Sequence, residues 1–208
     1  MLTIPAALGL MVSGYPIMVV LFVRGAFNLH AAALSSQSLA AYAFGLPAFV
    51  LVKVLAPAFF ARGDTSTPVR IGMITLALNL ALNLALMVPL QHVGPPLATS
   101  LAAVFNVGAL GILLRRRGFL VVDTRLRRRL PRIGLAAVAM AVTLWLVRRH
   151  LFDPATVAHG LRWFALAGLI GLGLGAYAAA GQVMGAFDGR EILSKLRRRR
   201  ALPANVVP

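Results

Sequence analysis

A single lysine stands inside a long apolar stretch, where its charge could act on a membrane-embedded ligand. Lys53 lies nine positions before Arg62, which is about 13 Å of helix at 1.5 Å per residue. A charge at that depth costs at least about 2.5 kcal/mol and usually faces a polar cavity or a partner. Pro47 and Pro57 flank it, and each removes a helical N–H donor. The sequence predicts a cationic site on a kinked or broken helix, with snorkelling beside a structural kink as the alternative.

Polar side chains form a stripe on the next two apolar segments. Thr75, Asn79 and Asn83 recur every four residues, and Thr99 and Asn106 are seven apart, so each set shares a helix face. Their oxygens could coordinate a hard cation such as Na⁺, or they could form interhelical hydrogen bonds. Because no carboxylate lies among them, we favour hydrogen bonding between the helices.

Two pairs of small residues lie near the end of the last apolar segment. Gly171 with Gly175, and Gly181 with Gly185, have the spacing GxxxG. This spacing allows close helix packing, and a groove for a lipid tail is the alternative.

The remaining polar residues do not indicate an enzyme. The chain has no cysteine, and its acids and histidines lie in loops, in the tail or near membrane ends, without HExxH or P-loop spacing. The five acids are Asp64, Asp123, Asp153, Asp188 and Glu191, and the four histidines are His30, His92, His150 and His159. We therefore expect neither catalysis nor a resident cofactor or metal.

The composition places these residues in a membrane protein. Of 208 residues, 60% are hydrophobic and 12% are charged, and the mean hydropathy is +0.85, whereas a soluble domain carries roughly 25% charged residues. The net charge of +16 lies in short segments between long uncharged stretches, as in membrane loops and unlike a nucleic-acid-binding surface. The sequence predicts an all-α integral membrane protein with about six transmembrane helices.

The predicted spans follow the uncharged stretches. In the turn before the third span, Thr67 is the expected N-cap and Pro68 the first helical residue. The fifth apolar stretch is short, so Arg132 and Arg148 are expected to snorkel to the interfaces, and Trp163 is expected to anchor the sixth. A membrane domain is expected over 1–188 and a basic cytoplasmic tail over 189–208. The spans are about 2–23, 33–61, 69–89, 95–114, 132–148 and 162–184.

The distribution of cations predicts the orientation. Sixteen Lys and Arg residues lie in the second–third connector, the fourth–fifth connector and the tail, against four on the other side. The positive-inside rule places the sixteen in the cytoplasm, and an even number of spans places the N-terminus there too. Anionic phospholipids are the expected partners of these basic segments.

Several motifs in the first half form a specific pattern. The sequence reads AYAFGLP at 41–47, KVLAPAFFAR at 53–62 and DTSTP at 64–68, and 21–27 and 94–102 continue the pattern. Together they resemble the MurJ/MviN family of lipid II flippases in the multidrug/oligosaccharidyl-lipid/polysaccharide (MOP) exporter superfamily. The resemblance covers about the first 115 residues, and the last two spans match only in hydropathy and Arg-rich loops.

The resemblance implies a fold, a substrate and roles for named residues. It implies the C-terminal lobe of a MOP-type flippase, which works with an N-terminal lobe outside this sequence. The two lobes would flip lipid II, an undecaprenyl-pyrophosphate-linked peptidoglycan precursor, from the inner to the outer leaflet of the bacterial plasma membrane. Lys53 and Arg24 are then substrate-binding candidates, and the fifth and sixth spans would form an apolar groove for the undecaprenyl tail. Asn79, Asn83 and Thr99 match the positions of a coupling Na⁺ site, although Asn83 stands where an acid is common.

Other functions stay open at this point. The chain could belong to another polysaccharide-lipid flippase or to a MATE-type exporter, since no residue identifies the substrate directly. It could also be a truncated membrane fragment or scaffold that does not transport. Lipid II and the N-terminal lobe are the partners that the main hypothesis requires, and nucleic acid is not expected.

Overall fold

Six long α-helices make up the part of the chain that the structure describes. The computed structural model describes residues 3–119, 124–151 and 162–183. Five continuous helical stretches in these ranges are long and apolar enough to cross a membrane, and one of them turns back on itself and so supplies two helices. The helices are α1 (Thr3–Phe22), α2 (Leu29–Phe60), α3 (Ser66–Leu90), α4 (Gly94–Arg116), α5 (Thr124–Leu151) and α6 (Arg162–Val183), with a 3₁₀ turn at Gln91–Val93. The predicted all-α membrane fold is confirmed.

α2 is longer and more regular than its sequence suggests. It begins at Leu29, four residues before the predicted start, because the side chain of Asn28 caps it and accepts a hydrogen bond from Ala31 N at 2.8 Å. It continues through Pro47 and Pro57 without interruption. The helix is therefore not broken around Lys53, and the predicted kink stays a prediction.

The start of α3 also differs from the prediction. Thr67 is not the N-cap, because the helix already begins at Ser66. The carboxylate of Asp64 takes the capping role instead, since Asp64 Oδ1 accepts from Thr67 N at 3.0 Å and Oδ2 from Thr67 Oγ1 at 2.6 Å. A carboxylate at this end of a helix also interacts favourably with the helix dipole.

α1 lies between two groups of helices. On one side it packs along α2, which packs on α4, and α4 packs on α3. On the other side α5 and α6 pack on each other and on α1. Each group has an apolar core. The core residues are Phe59, Ile71, Leu110 and Leu114 in the first group, and Ala136, Ala137, Met140, Leu144, Leu169 and Tyr177 in the second.

Gly45 allows α2 and α4 to approach closely. A Cβ atom at this position would lie 2.5 Å from Ser100 Oγ and 2.9 Å from Ser100 Cα. The fully buried Ser100 donates a hydrogen bond to Ala41 O at 2.6 Å across the same contact. Because a larger residue has no room here, glycine fixes the spacing of the two helices.

The first of the two GxxxG pairs predicted on α6 does not lie at a helix contact. Space is open around Gly171 and Gly175, where an added Cβ would meet nothing within 4 Å. Gly173 is the glycine that faces α5, with the Leu144 side chain 3.1 Å from the position of a Cβ. Gly181 is buried, and Gly185 lies outside the described residues.

Candidate functional site

Lys53 lies on an exposed face of α2. It stands seven residues before Phe60, the last residue of the helix, which is about 10 Å along the axis. Its neighbours Val50, Leu51 and Val54 are also exposed. Among the described residues no hydrogen bond or ion pair involves its ammonium group. An exposed charge on an apolar helix can bind an anionic group that approaches this face.

Arg24 is far from Lys53. It lies in the turn between α1 and α2, where its Nη2 donates to Leu21 O at 2.6 Å. Lys53 is 24 residues beyond Leu29, and this corresponds to about 36 Å of helix. The structure therefore does not bring the two predicted substrate-binding cations together, and one pyrophosphate cannot contact both at once.

An apolar cavity of about 390 Å³ lies between α1, α5 and α6. The family resemblance implied an apolar groove formed by α5 and α6 alone. This cavity is also lined by residues of α1. No charged side chain of the described residues lines the cavity, so a hydrocarbon chain can occupy it without desolvating any of their charges. The lining residues are Pro5, Ala6, Gly9, Leu10, Ser13, Ile17, Met140, Leu144, Ile170, Gly173, Leu174 and Tyr177.

The polar stripe on α3 is hydrogen-bonded within its own helix. Thr75 Oγ1 donates to Ile71 O at 2.7 Å, and Asn83 Nδ2 donates to Asn79 Oδ1 at 2.6 Å and to Asn79 O at 3.0 Å. Thr99 Oγ1 donates to Pro95 O at 2.9 Å inside α4. The prediction that these residues form interhelical hydrogen bonds is therefore wrong. Hydrogen bonds between elements occur instead at Ser100 and at Ser38, which donates to His92 O at 2.9 Å.

The ends of α2 and α4 are joined by two reciprocal contacts. Arg117 Nη1 forms an ion pair with Asp64 Oδ2, and Arg117 Nη2 donates to Thr67 Oγ1 at 3.1 Å. In return, the Arg62 guanidinium lies 4.2 Å from the centre of the Phe119 ring. Hydrogen bonds from Thr67 and Arg117 hold the pKa of Asp64 well below its ordinary value of 3.8. The turn is thus fixed by a carboxylate that stays ionised.

Arg148 makes a contact between helices that the sequence analysis did not predict. Its Nη1 donates to Val12 O of α1 at 2.9 Å, with the side chain half-buried. In a regular helix Val12 O would accept from the residue four positions later. That residue is Pro16, which has no N–H. A proline four positions after an unpaired carbonyl is the signal that the sequence offered for this contact.

No metal site is formed by the histidines and acids of the described ranges, since no three of their His, Cys, Asp and Glu residues lie together. His92 instead contacts Gln37, with Nε2 3.1 Å from Gln37 Oε1. His30 is exposed. The side chains of His150 and His159 lie outside the described residues, as do four of the five acids.

Comparison with known proteins gives one consistent result. The family model described as "Lipid II flippase MurJ" matches residues 1–162. Proteins named "Probable lipid II flippase MurJ" are 37% identical over 184 residues in Vibrio cholerae, 35% over 209 in Rhizobium tropici and 38% over 199 in Rhizobium meliloti. These alignments cover 86%, 98% and 95% of this chain and 34%, 39% and 36% of the relatives.

A solved structure shares the fold. It is titled "Lipid II flippase MurJ, inward closed conformation", and it matches with a TM-score of 0.71 and 22% identity. The match covers 87% of this chain and 35% of that one. The chain thus spans about a third of the length of the relatives and of the structure that it matches.

Proposed function

The chain belongs to the lipid II flippase MurJ family, and on that premise we propose that it forms the C-terminal lobe of a flippase for lipid II. The lobe acts together with an N-terminal lobe, and the two rock around a shared central site. The headgroup of the lipid-linked peptidoglycan precursor crosses from the inner to the outer leaflet between the lobes. This is transport and not catalysis, because no covalent bond of the substrate changes.

The exposed charge of Lys53 is the main support for the proposal. Its ammonium group is exposed on a membrane helix and has no partner among the described residues. Such a charge is costly unless it faces water or an anion, and the pyrophosphate of lipid II supplies negative charge and strong acceptor oxygens. The exposed face of α2 around Lys53 is therefore the wall that lines the headgroup pathway.

Arg24 contacts the headgroup at a different stage. Because about 36 Å of helix separates it from Lys53, the two cations cannot hold one pyrophosphate together. Alternating access opens opposite ends of the pathway in turn. Lys53 therefore meets the pyrophosphate near one end of α2, and Arg24 meets it near the other.

The apolar cavity between α1, α5 and α6 receives the undecaprenyl tail. Its lining has no charge, and the tail stays in a hydrocarbon environment while the headgroup crosses. The tail needs only apolar helix faces, which α5 and α6 supply through Leu144, Ile170 and Leu174. This arrangement supports a lipid substrate over a water-soluble one.

We propose that the protein lies in the bacterial plasma membrane, with both ends of this chain in the cytoplasm. The sixteen-to-four distribution of cations supports this orientation. The basic segment 115–132, which runs from the end of α4 into the first part of α5, and the basic tail then lie beside the anionic phospholipids of the inner leaflet.

A coupling Na⁺ would be bound by Asn79, Asn83 and Thr99. Asn and Thr oxygens are suitable ligands for a hard cation, and all three side chains are half-buried. The Asn83 NH₂ group donates to Asn79 Oδ1, so the Asn83 amide must turn its oxygen towards the ion. Exchange of Asn79 and Asn83 for Leu should abolish Na⁺ dependence of transport, and a loss of membrane level instead would assign them to packing.

The experiment for the main proposal uses a full-length flippase that carries this sequence as its C-terminal lobe. Lys53→Ala should reduce flipping at normal protein level, and Lys53→Arg should retain part of it because the charge is kept. Val88→Ala, at an exposed position on α3 outside the Lys53 face, is the control and should flip normally. Full activity of Lys53→Ala would contradict the proposal and return Lys53 to the snorkelling interpretation.

A further inference from the structure

A second cavity, which is polar, lies away from Lys53, where α1, α2 and α5 meet. Its volume is about 320 Å³. Unlike the apolar cavity, it contains a charged residue, and no carboxylate of the described residues lines it. The lining residues are Met11, Tyr15, Ala33, Ser36, Gln37 and Arg148.

The guanidinium of Arg148 is anchored at this cavity by one hydrogen bond. Nη1 donates to the Val12 carbonyl that Pro16 leaves without a helical partner. The same guanidinium lies 6.0 Å from the centre of the Tyr15 ring. A guanidinium carries five N–H donors, and Val12 O is the one acceptor bonded to it within the described ranges. Arg148 is therefore held in place with most of its donors available to a ligand.

The other polar side chains add donors around Arg148. Gln37 Oε1 is engaged by His92 Nε2 at 3.1 Å, and this leaves the amide NH₂ group of Gln37 for another acceptor. Tyr15 adds a hydroxyl. Ser36 donates to Ala33 O at 2.7 Å, so its oxygen can still accept. The lining carries one full positive charge and an excess of donors, and this composition selects an anion with several acceptor oxygens.

The depth of the cavity corresponds to that of lipid headgroups. α2 has 32 residues and is about 48 Å long, against a hydrocarbon core of about 30 Å. α2 therefore extends beyond the core. His92 belongs to the turn between α3 and α4 and contacts Gln37, with Nε2 3.1 Å from Oε1, so Gln37 lies at the level of this turn and close to the boundary between hydrocarbon and headgroups.

We propose that this cavity binds the phosphate of a lipid headgroup, with Arg148 and Gln37 as the main donors. With the orientation given under the proposed function, the cavity faces the outer leaflet. The phosphate chemistry of the site does not depend on that orientation. A bulk phospholipid such as phosphatidylglycerol is one source of this phosphate, and a polyprenyl diphosphate is another. The site is separate from the Lys53 face and would hold a lipid beside α1.

The test measures lipid retention by native mass spectrometry of the 208-residue chain, released from phosphatidylcholine nanodiscs. Phosphatidylglycerol, undecaprenyl diphosphate and inorganic phosphate are added in separate titrations. Gln37→Leu leaves the contact between Arg148 and Val12 in place, and Arg148→Lys keeps a charge and one donor for Val12 O. Arg149→Ala is the matched control, because Arg149 is exposed, stacks on Trp145 at 5.2 Å and does not line the cavity.

We expect retention of a phosphate-bearing lipid to weaken about tenfold in both Gln37→Leu and Arg148→Lys, as for the loss of one charge-assisted hydrogen bond. Arg149→Ala should match the unchanged protein. Loss confined to phosphatidylglycerol identifies a bulk phospholipid, and loss confined to undecaprenyl diphosphate identifies a substrate-type lipid. Equal retention in all variants, or binding of inorganic phosphate without either lipid, overturns the proposal. Since the assay involves no flipping, failure here leaves the Lys53 test of the proposed function unaffected.

Discussion

Arg117 and Asp64 lie 53 residues apart in sequence and form an ion pair between the end of α4 and the turn that follows α2. The two helices end in the same way. A glycine with positive φ follows each helix, Gly63 at 74° and Gly118 at 72°. The N–H of the residue after each glycine donates to a carbonyl of the last helical turn. The distances are 3.1 Å from Asp64 N to Phe59 O and 3.0 Å from Phe119 N to Leu114 O. Both helices therefore end in the same type of turn, and the ion pair joins the two turns.

The ion pair should stabilise the protein. Arg117→Ala leaves the Asp64 carboxylate without its cation and Thr67 Oγ1 without a donor. We expect a lower melting temperature in detergent, measured by loss of the monodisperse peak after heating. Arg116→Ala is the control, because Arg116 is exposed and one residue away. Equal melting temperatures for the two variants would show that the ion pair contributes nothing measurable.

The pH dependence of stability should report on the same carboxylate. The folded pKa of Asp64 is depressed below 3.8, so its contribution is fully present above the unfolded pKa and is lost as pH falls towards the folded pKa. The melting temperature of the unchanged protein should exceed that of Asp64→Asn at neutral pH. The difference should shrink only below about pH 4. A difference that shrinks between pH 8 and pH 6 would point to another group.

Gly45 should tolerate no larger residue. In Gly45→Ala the added Cβ meets the backbone of Ser100 at 2.9 Å, and such overpacking costs typically 1–3 kcal/mol, which is about the range we expect. Gly108→Ala is the matched control on α4, because its Cβ would meet nothing within 4 Å and Ala is favoured over Gly in a helix by about 1 kcal/mol. Unfolding titrations in SDS measure both. A Gly45→Ala protein as stable as Gly108→Ala would show that α2 and α4 separate freely.

Features that depend on one helix at a time were predictable from the sequence. The apolar stretches indicated the six helices, because a membrane span needs about 20 apolar residues whatever its neighbours are. The observed start of α2 lies four residues before the predicted start, because the Asn28 side chain caps the helix there. The positions of Lys53 within α2 and of Arg24 just after α1 followed from simple counting.

Contacts between helices were not predictable, because they depend on which faces meet. The spacing of Gly171 and Gly175 is the same whether or not another helix packs there, and it is Leu144 of α5 that selects Gly173. The stripe of Asn79 and Asn83 looked interhelical, yet a four-residue spacing also lets one amide bond to the other along the helix. The contact of Arg148 with α1 was missed because the sequence does not show that α5 packs beside the Val12 carbonyl that Pro16 leaves unpaired.

The orientation can be tested by cysteine labelling, since the chain has no native cysteine. With sixteen cations on the cytoplasmic side, Val122→Cys and Pro203→Cys should be shielded from an impermeant thiol reagent in intact cells. His92→Cys and Thr156→Cys should be labelled. Permeabilised cells provide the control, in which all four positions should react. Labelling of Val122→Cys from outside would contradict the orientation.

The 208-residue chain expressed alone should not support flipping. Alternating access requires two lobes that move around a shared site, and the described helices supply one wall, with Lys53 exposed on it. Without an opposing lobe, no closed pathway shields the headgroup from the hydrocarbon core. We expect that expression in cells depleted of their own lipid II flippase restores no growth, although the chain reaches the membrane. Co-expression with the N-terminal lobe of a family member is the positive control. Rescue by the chain alone would mean that two copies assemble into a working transporter, with one Lys53 face opposite the other.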